Sequence, residues 1–231
     1  MTHTTCSVTK ISSLTPAIYE VILTPPAAVD FKPGQYLKVV MSDEDARPFS
    51  IANAPHQTPE LVLHIGATPE NPYAWEVMEK LRNQDSIVVD IPDGSAFYQA
   101  SNRPVILLAG GTGFSYVHSI LQSALHQSPD KAIDLYWGVR SQADLYCVAQ
   151  LNALSEQHAN FNFKPVVQFP DDSWQGLSGW VHKAVIDNTS NLADYDVYVA
   201  GRFEMAKVVR DDFTALGFPS EQLFGDAFSY L

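Results

Sequence analysis

The sequence predicts two domains of different classes: an all-β domain, folded as an antiparallel barrel or sandwich, followed by a doubly wound α/β domain with a parallel sheet. Three observations support this prediction. In the first hundred residues, short apolar segments are separated by turns rich in Pro and Gly. After about residue 103, apolar segments alternate with segments of helical period. The polar segment 99–104 separates the two patterns, so we expect domains at residues 1–100 and 104–231.

The composition is that of a folded, acidic protein. Of its 231 residues, 46% are hydrophobic, which is enough for a packed core and argues against disorder. Its 14 Lys+Arg are outnumbered by 26 Asp+Glu, which makes the formal net charge −12. Such a charge repels phosphate backbones and anionic lipid headgroups, so we expect neither nucleic-acid nor membrane-surface binding.

Cysteine number and apolar run length exclude further classes. Cys6 and Cys147 are too few for an iron–sulfur cluster or a zinc ion with four cysteine ligands. The first ten residues lack the apolar run of a secretory signal, and no apolar run approaches the ~20 residues that cross a bilayer. We therefore expect a cytoplasmic protein without a metal site.

The β half contains four strand-like segments and one helical exception. The segments are rich in Val, Ile, Leu or Tyr, and they cover residues 17–24, 35–41, 61–65 and 86–91. Residues 72–82 break the pattern with apolar side chains at helical spacing, namely Ala74, Val77, Met78 and Leu81. Because Pro72 suits the first turn of a helix, we expect one short helix there.

The second half alternates strands with helices. The predicted strands are Val105–Ala109, Ile133–Gly138, Phe163–Val167 and Val197–Ala200. Three apolar stripes predict the helices: the first runs from Phe114 to Leu125, the second comprises Leu145, Val148, Leu151 and Leu154, and the third comprises Met205, Val208, Val209, Phe213 and Leu216. This alternation is typical of a parallel sheet that is covered on both faces.

A glycine-rich loop joins the first of these strands to the first helix. It reads Gly110-Gly111-Thr112-Gly113. Glycines allow a tight turn and bring backbone N–H groups close to an anion, and the following helix N-terminus adds roughly half a positive charge. The alternative is an ordinary tight turn, which three glycines in four residues make the weaker interpretation. We expect the loop to bind a nucleotide phosphate.

The loop matches neither of the two commonest phosphate motifs. The motif G-x-G-x-x-G is not matched, because Tyr116 stands at the sixth position counted from Gly111, where the motif requires glycine. The Gly-Lys-Ser/Thr of Walker A is also absent. The second strand ends without the acidic residue that usually binds a ribose. It ends instead at Arg140, which either accepts a 2′-phosphate or is a solvated surface charge.

Several short motifs, in their order and spacing, resemble one superfamily. They are Arg47-Pro48-Phe49-Ser50, His64-Ile65-Gly66-Ala67, Gly110-Gly111-Thr112-Gly113, Tyr136-Trp137-Gly138, Ala200 to Lys207 and Leu223 to Phe228. Together they resemble the ferredoxin–NADP⁺ reductase superfamily, and within it the bacterial NAD(P)H:flavin oxidoreductases. The resemblance covers essentially the whole chain. It implies a Greek-key barrel that binds flavin and an α/β domain that binds NAD(P)H, with the C-terminal tail returning to the flavin.

The resemblance assigns flavin-binding roles to the first half. Ser50 is the implied catalytic residue, whose hydroxyl bonds and orients the flavin N5 that accepts hydride. Arg47 meets the ribityl chain or its phosphate, although an ion pair at the strand end is the alternative. Pro48 and Phe49 form an apolar wall. The segment His64 to Gly66, which includes Ile65, presents backbone groups to the polar ring edge, with the His64 imidazole itself structural.

The second half receives the nucleotide-binding roles. The loop of Gly110, Gly111, Thr112 and Gly113 holds the NAD(P)H pyrophosphate, Gly201 lies beside the nicotinamide, and Phe203 and Met205 begin the next helix. Arg140 lies on the adenosine side. Many superfamily members have Cys-Gly-Pro where this chain has Ala200-Gly201-Arg202, so no thiol assists here. Near the C-terminus, Phe228 is either an aromatic gate on the flavin face or an ordinary packing residue.

A segment that would hold FAD permanently is missing. Superfamily members with tight FAD tend to carry G-x-x-[ST] at the barrel helix. In this chain the corresponding segment, Pro69 to Ala74, contains neither the glycine nor the Ser/Thr hydroxyl, and it places Glu70 where a phosphate would bind. We expect riboflavin, FMN or FAD to exchange as a substrate, and the reduced flavin to reach ferric iron, cobalamin or an acceptor enzyme such as luciferase. We also expect a monomer. The alternatives are a tight-FAD reductase component of a multicomponent system and a non-catalytic subunit.

Overall fold

The computed structural model describes residues 2–57 and 59–231, which divide into two units. The first unit extends to Tyr98 and also contains His118–Ser123. The second comprises Gln99–Val117 and Ala124–Leu231. The observed boundary lies next to the predicted polar linker. The domain limits expected from the sequence differ at His118–Ser123, because these residues hydrogen-bond to backbone carbonyls of the first unit.

An antiparallel sheet of six strands forms the first unit. Its strands are β1 (Thr2–Thr15), β2 (Ile18–Thr24), β3 (Tyr36–Ser42), β4 (Asp45–Ser50), β5 (Leu61–Gly66) and β6 (Ser86–Asp93). Their order across the sheet is β4-β3-β6-β1-β2-β5. Within β2, the side chains of Val21 and Leu23 are buried and those of Glu20 and Ile22 are partly exposed, so burial alternates along residues 20–23.

Backbone hydrogen bonds join the two edges of this sheet. Ile51 N–H donates to the Gln35 carbonyl at 3.1 Å, and Ala52 N–H donates to the Val62 carbonyl at 2.7 Å. Residues 51–53 therefore bridge β3 and β5, and the sheet closes without leaving either edge unpaired at this point.

Helix α1 (Pro72–Asn83) covers the interior of the first unit. It buries the four side chains that the apolar stripe predicts: Ala74, Val77, Met78 and Leu81. These pack into one cluster with side chains of the strands, including Val21, Leu63 and Val89. The helix begins at Pro72, which lacks the N–H that a first turn leaves unbonded.

The sequence analysis missed two strands of this sheet. β1 carries mostly Ser, Thr and Lys, and Cys6 is its only residue classed as buried. Its stability comes from pairing with β2 on one side and with β6 on the other. β4 contains Pro48 and charged side chains, which lower its apparent strand propensity. Edge strands tolerate Pro, and β4 is an edge strand.

A parallel sheet with helices forms the second unit. Its strands are β7 (Val105–Gly110), β8 (Ile133–Val139), β9 (Phe161–Val167), β10 (Leu177–Ser178), β11 (Asp196–Ala200) and β12 (Leu223–Phe224). Its helices are α2 (Phe114–Gln127), α3 (Val148–Gln157), α4 (Val181–Asn188) and α5 (Phe203–Ala215). The sheet order is β10-β9-β8-β7-β11-β12. All four predicted strands and all three predicted helices are present.

Differences from the predicted α/β elements are confined to ends and short pieces. Leu145 precedes α3 instead of lying in it, and Val208 and Leu216 of the third predicted stripe are exposed. Helix α4 and the two-residue strands β10 and β12 were not predicted, because segments this short carry too few residues to establish a period. Within the described residues, no helix is long and apolar enough to span a membrane.

Two buried histidines face each other in the first unit. The rings of His64 on β5 and His118 on α2 lie 6.2 Å apart between centroids. Burial lowers the pKa of His64 to about 4. Burial, followed by the charge of His64, lowers the pKa of His118 to about 3. Both imidazoles are therefore neutral near pH 7, and protonating either one in place is unfavourable.

This burial predicts a loss of stability at mildly acidic pH. The unfolded chain binds protons as the pH falls through 6.5, the ordinary histidine value, whereas the folded chain does not until about 4. Acidification from pH 7.5 to 5.5 should lower the free energy of unfolding by about 1 kcal/mol per histidine. Urea unfolding at the two pH values measures it. His118→Gln should remove part of this dependence, and an unchanged dependence in that variant would contradict the assignment.

Candidate functional site

The two motifs of the first unit lie on the two edge strands that the chain closes together. Arg47, Pro48, Phe49 and Ser50 end β4, and His64 to Gly66 end β5. The bond from Ala52, two residues after β4, to Val62, the second residue of β5, joins these two edge strands. Along β4 the side chains alternate, so Ser50 shares a face with Pro48, and Arg47 shares the opposite face with Phe49.

The backbone after Ser50 is fixed by several side chains. Asn53 donates to the Glu60 carbonyl at 2.8 Å and accepts the Val62 N–H at 2.9 Å. Ser119 of α2 donates to the Asn53 carbonyl at 2.8 Å. Over residues 2–57 and 59–231, no hydrogen bond forms to the Ser50 hydroxyl, which is partly exposed. A hydroxyl on rigid backbone is thus left to bond a ligand.

Arg47 is held by its own neighbours. Its Nε and Nη2 donate to the Asp45 carboxylate, at 3.0 Å and 2.6 Å to Oδ2. Nη2 also donates to Glu76 of α1 at 2.7 Å, and Nη1 to the Tyr73 carbonyl at 2.5 Å. The Tyr73 ring lies under the guanidinium, 4.8 Å from its centroid to Cζ. This arrangement matches the alternative of an ion pair at the strand end.

These contacts leave the guanidinium little capacity for a ligand. The hydrogen bonds that Arg47 donates to the Asp45 carboxylate raise the pKa of Arg47 and lower the pKa of Asp45. The Arg47 side chain is only 11% exposed. Of its five N–H donors, a single one on Nη1 is without a bond to the described residues. Sequence reasoning missed Asp45 as a partner, although two positions along a strand share one face.

The β5 motif, His64 to Gly66, directs backbone N–H and carbonyl groups toward the edge of the sheet. Val62 directs its N–H to Asn53 and its carbonyl to Ala52, away from β2. Backbone direction repeats at every second strand residue, so His64 and Gly66 direct theirs toward the same edge. Ile65 is fully buried in the core. Because burial lowers the pKa of His64 to about 4, its ring is unsuited to donate protons near neutral pH.

In the second unit, the glycine loop lies where the strand order reverses. β7 pairs with β8 on one side and with β11 on the other. Ligands of open α/β sheets bind at this switch point, outside the carboxyl ends of the strands. Gly111 adopts a φ of +55°, which L side chains rarely adopt, and its carbonyl accepts the Trp137 indole N–H at 2.9 Å. Phe114 stacks on Trp137 at 4.1 Å, which supports the loop from below.

Two glycine backbones approach each other at the switch point. A methyl group on Gly113 would lie 2.3 Å from the Ala200 carbonyl oxygen and 2.8 Å from the Gly201 nitrogen. Methyl groups on Gly110 and Gly201 would each come within 2.5 Å of the Met205 side chain. The predicted residues at the ends of β7 and β11 are therefore brought together, and Gly113, which meets backbone, leaves the least room for a side chain.

The helix N-termini beside this point differ in charge. The first turn of α2 holds no acidic residue, whereas the first turn of α5 holds Glu204. An anion is thus favoured at α2, whereas at α5 Glu204 opposes one and Arg202, at the N-cap, partly offsets that charge. Phe203, at the start of α5, is 55% exposed. Arg140 follows β8 and is exposed, and its guanidinium is unpaired within the described part of the chain.

Phe228 packs within the second unit. Its ring would contact a methyl group on Gly225 at 3.0 Å, and its N–H donates to the Gly225 carbonyl at 3.1 Å. The side chain is half-buried against the core cluster that contains Val199. Phe228 therefore packs against the core of the second unit, as the packing interpretation expects. Its role as a gate on the flavin face stays a prediction.

Comparison with known proteins assigns a family to this arrangement. The family model described as "Oxidoreductase NAD-binding domain" matches residues 107–211, which include the glycine loop. Proteins named NAD(P)H-flavin reductase from Vibrio harveyi and Aliivibrio fischeri are each 44% identical over 233 residues and 98% of both chains. A probable flavin reductase from Photobacterium leiognathi is 37% identical over 97% of this chain and 98% of its own.

Solved structures share the fold at lower identity. The ferredoxin reductase in carbazole 1,9a-dioxygenase superposes with a TM-score of 0.86 at 23% identity, over 98% of this chain and 69% of its own. The cytochrome b5 reductase domain of Ulva prolifera nitrate reductase gives 0.81 at 15%, over 95% of both chains. The antiparallel sheet followed by a parallel sheet with helices confirms the predicted fold class.

The glycine packing predicts different costs for two alanine substitutions. Gly113→Ala forces a methyl group against the backbone of Ala200 and Gly201, which cannot move aside as a side chain can. It should lower the free energy of unfolding by about 2 kcal/mol or more. At Gly111 a methyl group meets nothing within 4 Å, so Gly111→Ala should cost only the backbone strain of its positive φ, about 1 kcal/mol. Urea unfolding of both variants measures the difference, and equal losses would contradict the packing argument.

Proposed function

Because this chain belongs to the NAD(P)H-flavin reductase family, we propose that it reduces free flavins that enter and leave as substrates. The observation that supports exchange of the flavin, as opposed to permanent binding, concerns the segment at the start of α1. This segment has no glycine–hydroxyl pair for an FAD pyrophosphate, and Glu70 is exposed there. Its carboxylate pKa is lowered by hydrogen bonds from its own backbone and from Thr68, so it is ionised. The AMP half of FAD thus lacks an anchor.

The reaction combines NAD(P)H, oxidised flavin and a proton to give NAD(P)⁺ and reduced flavin. Hydride carries two electrons from nicotinamide C4 to flavin N5, and the proton comes from solvent. The Ser50 hydroxyl bonds N5 and orients it, while Pro48 and Phe49 bound the ring. Backbone groups of His64 and Gly66 bond the polar edge of the ring. Ser50 alone among these residues acts at a reacting atom.

The second unit supplies nucleotide binding. The loop Gly110–Gly113 and the uncharged first turn of α2 receive the pyrophosphate, because backbone N–H groups and the helix dipole converge there. Gly201 and Met205 border the nicotinamide, where the acidic turn of α5 would repel a phosphate. Arg140 meets the 2′-phosphate when NADPH is the donor. No protein acid or base is required, which agrees with the low pKa of His64.

Location and partners follow from this chemistry. Hydride donors of this type are cytoplasmic, and we assign the enzyme to that compartment. The reduced flavin diffuses to ferric iron, cobalamin or a flavin-dependent enzyme. A diffusible product requires no docking partner, so a monomer suffices. The alternative, a tight-FAD reductase component, is favoured only by the fold shared with the carbazole dioxygenase reductase.

A single assay tests the proposal. Oxidation of NADH and NADPH is followed at 340 nm with and without added riboflavin or FMN. The expected protein is colourless as purified, and it oxidises the nucleotide only when flavin is added. Stoichiometric bound FAD with flavin-independent reduction of ferricyanide would support the alternative. A colourless protein that stays inert with every flavin would overturn the catalytic assignment.

Ser50 should contribute mainly to turnover. Ser50→Ala removes the hydrogen bond to N5, which strengthens as hydride arrives, so kcat should fall roughly tenfold with a smaller change in flavin KM. Ser86→Ala, an exposed serine at the start of β6, is the matched control and should leave kcat unchanged. Normal turnover of Ser50→Ala would remove Ser50 from the catalytic role.

The glycine loop should control nucleotide KM. Gly111→Val places a β-branched side chain at φ +55°, where it strains the loop and obstructs backbone approach to the pyrophosphate. The KM for NAD(P)H should rise, and flavin KM should not. Gly217→Val imposes similar strain at φ +78° in the turn after α5. This control separates general destabilisation from lost binding, and equal KM effects in both variants would contradict the assignment.

A further inference from the structure

A buried indole is hydrogen-bonded to the glycine loop. Trp137 lies on β8 and is fully buried, and its Nε1–H donates to the Gly111 carbonyl at 2.9 Å. An indole has one hydrogen-bond donor and no acceptor, and a buried donor without a partner is costly. The Phe114 N–H donates to the same carbonyl. The Gly111 carbonyl is therefore held by one backbone donor and one side-chain donor.

Two neighbouring rings fix the plane of this indole. Phe114, which is fully buried, stacks on Trp137 with an interplanar angle of 16°. Tyr146 meets Trp137 edge-on, with 4.9 Å between ring centroids and an angle of 80°. Both geometries are favourable for aromatic pairs. The indole is thus held in one orientation, in which its N–H points at the loop.

The direction of the Gly111 carbonyl sets the direction of the next N–H along the chain. The peptide bond between Gly111 and Thr112 is trans. In a planar trans peptide, the C=O and the following N–H point in opposite directions. The Thr112 N–H accordingly points away from Trp137 and out of the turn that precedes α2. An anion approaches a helix N-terminus from this direction.

We propose that Trp137 is a positioning residue for the nucleotide, because its bond to the Gly111 carbonyl keeps the Thr112 N–H directed at the pyrophosphate of NAD(P)H. The inference rests on the proposed function, in which the glycine loop receives that pyrophosphate. Gly111 needs the freedom of glycine to adopt a φ of +55°, and this freedom makes the loop easy to deform. Rotation of the Gly111–Thr112 peptide by half a turn would present its oxygen to the phosphate. The indole bond opposes this rotation.

The first test is Trp137→Phe, which removes the indole N–H and keeps an aromatic ring in the stack. One hydrogen bond makes a modest net contribution, so the KM for the nucleotide should rise about fivefold. The factor should be the same for NADH and NADPH, because both carry the pyrophosphate. The bond is not at a reacting atom, so kcat and the KM for flavin should change by less than about twofold.

A second variant separates the hydrogen bond from the packing. Phenylalanine is smaller than tryptophan, and lost volume in a fully buried site lowers stability by itself. Benzothienylalanine in place of Trp137 has the shape of tryptophan, with sulfur where the indole has its N–H. It should reproduce the increase in nucleotide KM while the free energy of unfolding stays near that of the wild type. A role in packing alone would leave the KM of this variant normal.

The matched control is Trp174→Phe. The indole of Trp174 donates to the Leu177 carbonyl at 2.9 Å in the same unit, so this substitution removes an equivalent bond outside the glycine loop. Its nucleotide KM should stay normal. Calorimetric titration with ADP-ribose, which carries the pyrophosphate without the nicotinamide, measures binding without turnover. The Kd for ADP-ribose should rise about fivefold in both Trp137 variants and stay unchanged in the control.

The inference and the proposed function fail by different results. Normal nucleotide KM and normal ADP-ribose Kd in both Trp137 variants would overturn the inference. Increases of equal size in Trp174→Phe would also overturn it, because the effect would then be one of general stability. The proposed function would instead be overturned by a wild type that oxidises no NAD(P)H when flavin is added.

Discussion

The hydrogen bond from Ala52 N–H to the Val62 carbonyl joins two edge strands that are far apart in sheet order. The first unit depends on this closure, because β4 and β5 carry the two motifs for which we propose flavin binding. The bond is supported by Asn53, which bonds both sides of the junction, and by Ser119. Ser50 thus stands on backbone that is fixed immediately after it. The closure fixes the backbone that carries the hydroxyl, which has no hydrogen-bond partner of its own in the described chain.

A corresponding constraint in the second unit is the close approach of glycine backbone to a neighbouring strand end, which leaves no room for a side chain. Gly113 approaches the Ala200 carbonyl so closely that even a methyl group has no room. This contact brings the ends of β7 and β11 together at the switch point of the sheet. The glycine loop and the start of α5 are consequently neighbours, and only the first turn of α5 carries an acidic residue.

Charge is the feature on which we base our proposal that flavin exchanges as a substrate. Glu70 is exposed and ionised before α1, where we propose that an FAD pyrophosphate finds no anchor. Arg47 is bonded to Asp45 and to Glu76, so it braces β4 against α1.

Local patterns in the sequence determined the fold class, the helix at Pro72–Asn83 and the four central strands of the parallel sheet, because period and turn chemistry are properties of neighbouring residues. They also led to the proposed roles of Ser50 and the glycine loop, which stay predictions. Strands β1 and β4 could not be predicted, since polar residues form them only through partners distant in sequence. The partners of Arg47, the placement of His118–Ser123 with the first unit and the meeting of Gly113 with Ala200 were likewise decided by tertiary structure. Each depends on a contact between segments that no local pattern encodes.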